Sequence, residues 1–384
     1  MAKTRSQRKL LFLVTEDWYF CSHRLPVARA ARDAGFAVTV ATRVRAHGDL
    51  IRAEGFALRQ LCWKRRGDGL FGHLRALAEI VRLYRRERPD ILCHVALKPV
   101  LFGGLAARIA GVRLAGVVSA VMGLGIEFTG DGAGWRQRVF GWALRFSTGC
   151  GPIIVQNQEN RAALVNFGID PGRIALIAGS GVDTAHFAAL PDPPDPRLTV
   201  GLVGRMLRSK GVLDAVAGVR KLRAEGLAVE LLLAGAADPD SRDSLSDGEL
   251  AALAREPGIE WLGHVADVRT VWARAAIALL PSSYGEGIPK ALLEAASCAR
   301  PIIASDMPGC REVVVPEETG LLVPAHDVDA LAAAIARLAS EPQLRRQMGE
   351  AGRQRVIRGF GEATVAQQTV ALLRLMLGEG DGRS

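Results

Sequence analysis

The sequence predicts an α/β protein made of two doubly wound, Rossmann-like domains of near-equal size, facing one another across a cleft. Three observations carry that expectation. Short apolar runs alternate with helical patterns almost from end to end, as in parallel sheets covered by helices. The chain has 384 residues, more than one hydrophobic core usually fills. Near its middle, Pro191, Pro193, Pro194 and Pro196 fall within six positions, where neither a helix nor a central strand can persist.

In the first half the apolar runs place strands at 9–14, 37–41, 56–60, 91–94, 116–120, 152–155 and 174–177, with helices between them, as at 25–34 and 70–86. The proline run reads as the interdomain linker, which sets the domains at 1–190 and 191–361. A second series follows, with strands at 198–203, 229–234, 259–262, 276–281, 301–304 and 320–323. Helices fit at 213–225, 268–274, 289–297 and 328–338, and 341–359 and 364–377 close the chain. The last stretch, about 362–384, is expected to pack back on the first domain. Ligands of such sheets bind outside the carboxyl ends of the strands.

Composition narrows the classes. Apolar residues make up 49% and charged residues 23%, which excludes a disordered chain. The six cysteines form no C-x-x-C pair, so neither a zinc site nor a disulfide framework is expected, and buried free thiols in a reducing cytoplasm are. No signal-peptide pattern opens the sequence. Its longest uncharged apolar run, 114–126, is too short to span a bilayer, which predicts a soluble or peripheral protein.

Charge is unevenly placed. Residues 1–190 carry 27 Lys and Arg against 14 Asp and Glu, whereas 191–384 carry 22 against 26. The first half is therefore expected to meet an anionic partner. Nucleic acid would qualify, but no recognition motif for it is present. A membrane surface also qualifies. Residues 70–88 put Leu70, Phe71, Leu74, Leu77, Val81 and Tyr84 on one helical face and Arg75, Arg82, Arg85, Arg86 and Arg88 on the rest, after Trp63, Lys64, Arg65 and Arg66. The apolar stripe suits packing on a sheet. The arginines suit an anionic leaflet.

The densest chemistry lies at 282–294. Glu286 and Glu294 stand eight residues apart with Gly287 and Pro289 between them, after the apolar run 275–280. Pro289 suits the first turn of a helix, which puts Glu286 in a strand-to-helix loop and Glu294 about a turn and a half into the helix. The N–H groups of Lys290, Ala291 and Leu292 then point outward at the positive helix end, an anion site suited to phosphate. Carboxylates on either side accept hydrogen bonds from hydroxyls. A nucleotide sugar has a phosphate centre and hydroxyls at both ends. Strand 198–203 ends in Gly204 and Arg205, and Lys210 and Gly211 open the next helix. These two cations suit a departing nucleoside diphosphate, whose charge grows as its bond to the sugar breaks.

The G-R-x4-K-G pattern (Gly204, Arg205, Lys210, Gly211) and the E-x7-E pattern (Glu286, Glu294) resemble those of retaining glycosyltransferases of family 4, which have the GT-B fold. Further similarity runs through 231–235, 261–268, 308–314 and 318–324, and the first half, at 15–26 and 94–99, resembles the capsule and O-antigen branch. The resemblance implies that Glu286 holds hydroxyls of the donor sugar and Glu294 the ribose diol. It implies that backbone from Gly287 through Ile288, Pro289, Lys290 and Ala291 to Leu292 meets the sugar and phosphates. Arg205 and Lys210 would hold the diphosphate, and backbone near Val265 would read the base. Such enzymes are generally metal-independent, so no metal or cofactor is expected. Asp238 and Asp240 are spaced like the metal motif of the other large glycosyltransferase fold, but they sit in a polar loop, 238–247, after a strand, and neither a histidine nor a further carboxylate cluster supports a metal there.

On the acceptor side, His23 and His94 each lie near the carboxyl end of a predicted strand or in the loop beyond it, and histidine titrates in a useful range. For His94 a core position fits equally well. Lys98 opens a helix and suits an acceptor phosphate as well as a solvated surface. Gly123 and Gly125 belong to a glycine loop after strand 116–120, and Glu127 follows it where related sequences are more often apolar. The resulting expectation is a cytoplasmic, membrane-peripheral enzyme that moves a hexose or N-acetylhexosamine from a UDP-sugar to a polyprenol diphosphate-linked glycan. A same-fold epimerase or phosphorylase, or a non-catalytic nucleotide-sugar-binding regulator, are the alternatives.

Overall fold

The structure, a computed structural model, describes residues 7–63, 69–123, 134–193 and 197–378, apart from the side chains of Leu70 and Arg136. The chain divides into two compact units, Met1–Ser180 with Glu362–Ser384, and Gly181–Gly361.

The first unit holds the strands β1 (Lys9–Glu16), β2 (Ala37–Arg43), β3 (Ala57–Gln60), β4 (Ile91–Val95), β5 (Val117–Ala120), β6 (Ile153–Val155) and β7 (Ile174–Leu176). They form one parallel sheet in the order β3-β2-β1-β4-β5-β6-β7. Alternate residues of β1 serve two cores, as the period of a strand requires. Leu10, Phe12 and Val14 share one with Val27 and Ala28 of the helix Leu25–Asp33 and with Val365, Val370 and Leu373 of the closing helix Glu362–Met376. Leu11 and Leu13 share the other with Ile80 and Tyr84 of the helix Gly69–Glu87 and Ala106 and Ala107 of the helix Leu97–Ala110.

The second unit holds β8 (Leu198–Val203), β9 (Val229–Ala234), β10 (Ile259–Gly263), β11 (Ile277–Leu280), β12 (Ile302–Ser305) and β13 (Gly320–Val323), parallel in the order β10-β9-β8-β11-β12-β13. Its strands read as apolar runs because helices cover both faces. In each sheet the strand order reverses once, between β1 and β4 and between β8 and β11. Connections leave to opposite faces at such a point and open a crevice at the carboxyl ends.

Four local features depart from the sequence reading. The division lies at Ser180/Gly181 rather than 190/191, because the segment before the prolines is pinned to the second unit. Val182 donates to the Phe360 carbonyl at 2.9 Å, Leu190 to that of Cys298 at 3.2 Å, and the buried Arg300 to that of Pro191 at 2.5 Å. β1 runs directly into a helix, Asp17–His23, where a loop was expected. Of the apolar stripe on Gly69–Glu87, Val81 and Tyr84 are buried and Leu77 partly so, while Phe71 and Leu74 face solvent. Cys62 and Cys150 are exposed, so not all the thiols are buried. No helix among the described residues is long and apolar enough to cross a membrane.

Candidate active site

β8 and β11 are neighbours, so the loops leaving their carboxyl ends start side by side. A backbone hydrogen bond from Ser283 to the Ser209 carbonyl, 2.8 Å long, ties one loop to the other. Gly211 then turns the chain into the helix Val212–Ala224 at φ 75°, and a Cβ there would run into the Pro281 carbonyl. Only glycine satisfies both demands.

These loops bring Lys210 and Glu286 together. The Lys210 ammonium donates to both carboxylate oxygens of Glu286, at 2.7 and 2.5 Å, with both side chains largely buried. It also lies 5.5 Å from the centre of the Tyr284 ring. Burial works to lower the Lys210 ammonium, but the charges of Glu286 and Tyr284 outweigh it and the net displacement is upward. Lys210 is therefore a fixed cation. Burial likewise raises the Tyr284 phenol, with Lys210 and Arg205 opposing. Arg205 donates to Asp238 at 2.7 Å, which accounts for that aspartate. Among the described residues no group of three potential metal ligands occurs.

Glu294 sits in the helix Lys290–Ser297 that follows. Burial pushes its carboxyl up to about 7, and Lys290, whose Nζ lies 3.8 Å away, offsets only part of that. Pro289 is the residue before the helix (φ −69°, ψ 118°) rather than part of its first turn. Its carbonyl accepts from Leu292 at 3.1 Å, which removes Leu292 from the expected set of outward donors. Lys290 and Ala291 remain at the helix start, after Gly287 and the buried Ile288. Gly204 closes β8 and bonds to the Ala234 carbonyl at 3.0 Å. Val265 lies two residues past β10, at the same edge but two strands from β8.

Three contributors were given no role from the sequence. Tyr284 packs beside the ammonium. Gly309, in the helix Pro308–Val313 after β12, lies so close to the Glu286 loop that a Cβ would overlap the Gly287 carbonyl oxygen. Cys310 is buried beneath the site, its thiol pushed up to about 12 by burial and then by the charge of Glu286. A proline at a helix start followed at once by glycine was the visible signal for Gly309.

In the first unit the acceptor-side candidates separate. His94 is fully buried in β4, its Nε2 2.9 Å from the Tyr84 hydroxyl and its carboxyl-edge position closed to solvent. Burial drives the imidazole down to about 3, so it is a neutral core residue and not an acid–base group. His23 ends the helix Asp17–His23, stacks on Tyr19 at 4.3 Å and shares a 2.6 Å hydrogen bond with the Ser22 hydroxyl. Lys98 is in the first turn of Leu97–Ala110, with its ammonium 5.4 Å from the centre of the Trp63 ring. These two flank the reversal between β1 and β4. Ala96 before it holds φ 74°, a conformation costing a non-glycine residue about 1–3 kcal/mol. Gly123 follows β5, partly exposed, and Gly125 lies outside the described residues.

Comparison with known proteins bears on both halves of the chain. The family model described as "Glycosyl transferase 4-like" matches residues 9–157, and that described as "Glycosyl transferases group 1" matches 197–341. The capsular polysaccharide biosynthesis glycosyltransferase CapM of Staphylococcus aureus is 24% identical over 83% of this chain and 85% of its own. A UDP-Gal:α-D-GlcNAc-diphosphoundecaprenol α-1,3-galactosyltransferase of Escherichia coli is 25% identical over 81% of each. Among solved structures, Anabaena HepE in complex with UDP and glucose superposes with a TM-score of 0.76 at 18% identity, covering 94% of this chain and 98% of that one. Sucrose-phosphate synthase from Thermosynechococcus elongatus gives 0.79 at 21%, covering 97% and 100%. With both halves of the sequence matched and the same two-sheet architecture throughout, the chain belongs to the family 4 glycosyltransferases and has their GT-B fold.

Proposed function

We propose that the protein is a retaining, metal-independent transferase that moves a hexose or N-acetylhexosamine from a UDP-sugar to a polyprenol diphosphate-linked glycan. It would act in surface polysaccharide biosynthesis, as a peripheral protein on the inner face of the cell membrane. The observation that carries this reading is the cluster of Arg205, Lys210 and Glu286 where β8 and β11 part, beside a helix start followed by Glu294. The name of the diphosphoundecaprenol relative supports the acceptor class, and that of the capsular relative supports a place in polysaccharide biosynthesis.

In this reading the diphosphate lies against the Lys290 helix start with Arg205 and Lys210 about it. As the bond from the sugar anomeric carbon to the phosphate oxygen breaks, charge gathers on that oxygen, and fixed cations in a dry site stabilise it. The acceptor hydroxyl attacks from the side the phosphate leaves and passes its proton to the leaving phosphate oxygen, so the anomeric configuration is kept. Glu286, held by Lys210, accepts hydrogen bonds from sugar hydroxyls rather than acting as the base. Glu294 accepts from the ribose diol. His23, Lys98 and Gly123 are assigned to the acceptor.

The test is turnover. A panel of UDP-hexoses and UDP-N-acetylhexosamines is offered with a polyprenol diphosphate-linked N-acetylglucosamine, with and without EDTA. An EDTA-resistant product whose new linkage has the donor's anomeric configuration by NMR supports the reading, and an inverted linkage or dependence on added metal contradicts it.

A further inference from the structure

We infer that the helix Trp135–Thr148 is the surface by which the protein docks on an anionic lipid bilayer. The inference rests on the peripheral-membrane part of the reading above and names the face involved. Trp135, Val139, Trp142 and Phe146 recur at spacings of four, three and four, which lines them up along one side of the helix. They are 73, 54, 66 and 38% exposed. The opposite side is spent on the fold: Leu144 is fully buried, and the Ser147 hydroxyl donates to the Leu101 carbonyl at 3.2 Å. An outward stripe with two tryptophans is uncommon on a soluble surface without a partner.

The border of the stripe is basic. Arg138 and Arg145 are exposed beside it. Arg108, on the helix Leu97–Ala110, holds its guanidinium carbon 4.1 Å from the centre of the Phe146 ring and donates to the Phe146 carbonyl at 2.8 Å. The next residue, Ile109, is 48% exposed, and its carbonyl accepts from Arg85 at 2.9 Å. That links the stripe to the arginines of Gly69–Glu87, where Phe71 and Leu74 also stand outward. A cavity of about 750 Å³ beside Arg85 is lined by Arg8, Arg88 and Arg113, with Asp90 paired to Arg8 at 3.4 Å.

Aromatic side chains with a basic border match the headgroup level of a bilayer, where indole rings settle and anionic lipids attract arginine. A second copy of the chain is the poorer occupant. A two-fold interface would set this arginine-rimmed patch against another of the same sign.

Flotation of the full chain on phosphatidylcholine vesicles, with and without phosphatidylglycerol, tests the inference. Binding at least tenfold stronger to the anionic vesicles is expected, together with quenching of tryptophan fluorescence by brominated lipid. The Trp135→Ser/Trp142→Ser variant should lose at least tenfold in binding and most of the quenching, with an unchanged melting temperature and unchanged UDP affinity. Arg138→Glu/Arg145→Glu should lose only the preference for anionic vesicles. If wild type binds and the double tryptophan variant binds equally, this face is wrong while the peripheral reading stands. If wild type binds neither vesicle, both fail. A wild-type dimer in sedimentation that the tryptophan variant dissociates overturns the inference in favour of self-association.

Discussion

Lys210 and Glu286, 76 positions apart in the chain, meet as an ion pair in which one ammonium serves both carboxylate oxygens at 2.7 and 2.5 Å. The sequence reading gave them separate partners, a phosphate and a sugar. Their contact means that each fixes the other before any ligand is considered, so that the site's cation and its hydroxyl acceptor are placed together. Lys210→Ala should lower kcat/KM by about 10²–10³, as loss of one fixed electrostatic contact in a dry site does. It should also lower stability by about 1–3 kcal/mol, because Glu286 is left largely buried without its partner. Glu286→Gln should cost less stability, since an amide can stay in the same place. Steady-state kinetics and chemical denaturation of the two variants and their double variant measure the coupling.

Glu294, with its carboxyl near 7 in the folded protein against 4.5 unfolded, binds a proton on folding. Its contribution is therefore most favourable below about pH 4.5 and is lost as pH rises through about 7. A ribose diol donating to this group favours its ionised form. UDP binding at pH 7 should then release roughly half a proton from Glu294. Calorimetry in two buffers of different ionisation enthalpy reads that release, and Glu294→Gln should abolish it.

His94 carries the opposite linkage. Its folded value of about 3 lies below the ordinary 6.5, so the unfolded chain binds the extra proton. The stability it confers is present above pH 6.5 and falls away as pH drops toward 3, at up to about 1.4 kcal/mol per pH unit. His94→Gln keeps a partner for the Tyr84 hydroxyl but does not titrate. Denaturation at pH 7.5 and 5.5 should show wild type losing about 1 kcal/mol more than the variant. Catalysis by the variant should persist, since a buried neutral imidazole takes no part in it.

Gly309→Ala tests the support of the donor loop. The added methyl meets the Gly287 carbonyl oxygen, so the loop carrying Glu286 must shift. A shift of this size commonly costs about 10²-fold in activity. The far-UV spectrum should be retained and the melting temperature should fall only by a few degrees. Full activity in this variant would show that the loop position is not critical.

Much of the fold was legible because strands covered on both faces are short continuous apolar runs. The thirteen strands of the described residues fall at the strand positions read from the sequence, for example 198–203 and 229–234. The donor cluster was legible because glycine, proline and charge stand together at strand ends. What escaped depends on contacts distant in sequence. Nothing local distinguishes His94 as a core residue; the Tyr84 hydroxyl and the closed sheet edge decide it. The pairing of Lys210 with Glu286 follows from β8 lying beside β11, which chain order does not reveal. Phe71 and Leu74 have the right period for a buried stripe but sit in the first turns of their helix, where they face solvent instead. The helix Trp135–Thr148 went unread because its apolar residues outnumber what one buried face needs.

The donor site is the centre of the account, and calorimetric titration of UDP into wild type and Glu294→Ala tests it most directly. Saturable binding to wild type, weakened at least tenfold in the variant while its melting temperature without ligand is kept, is the predicted result. Equal UDP affinity in both proteins, or no UDP binding to wild type, would contradict the assignment of β8, β11 and the Lys290 helix as the nucleotide-sugar site.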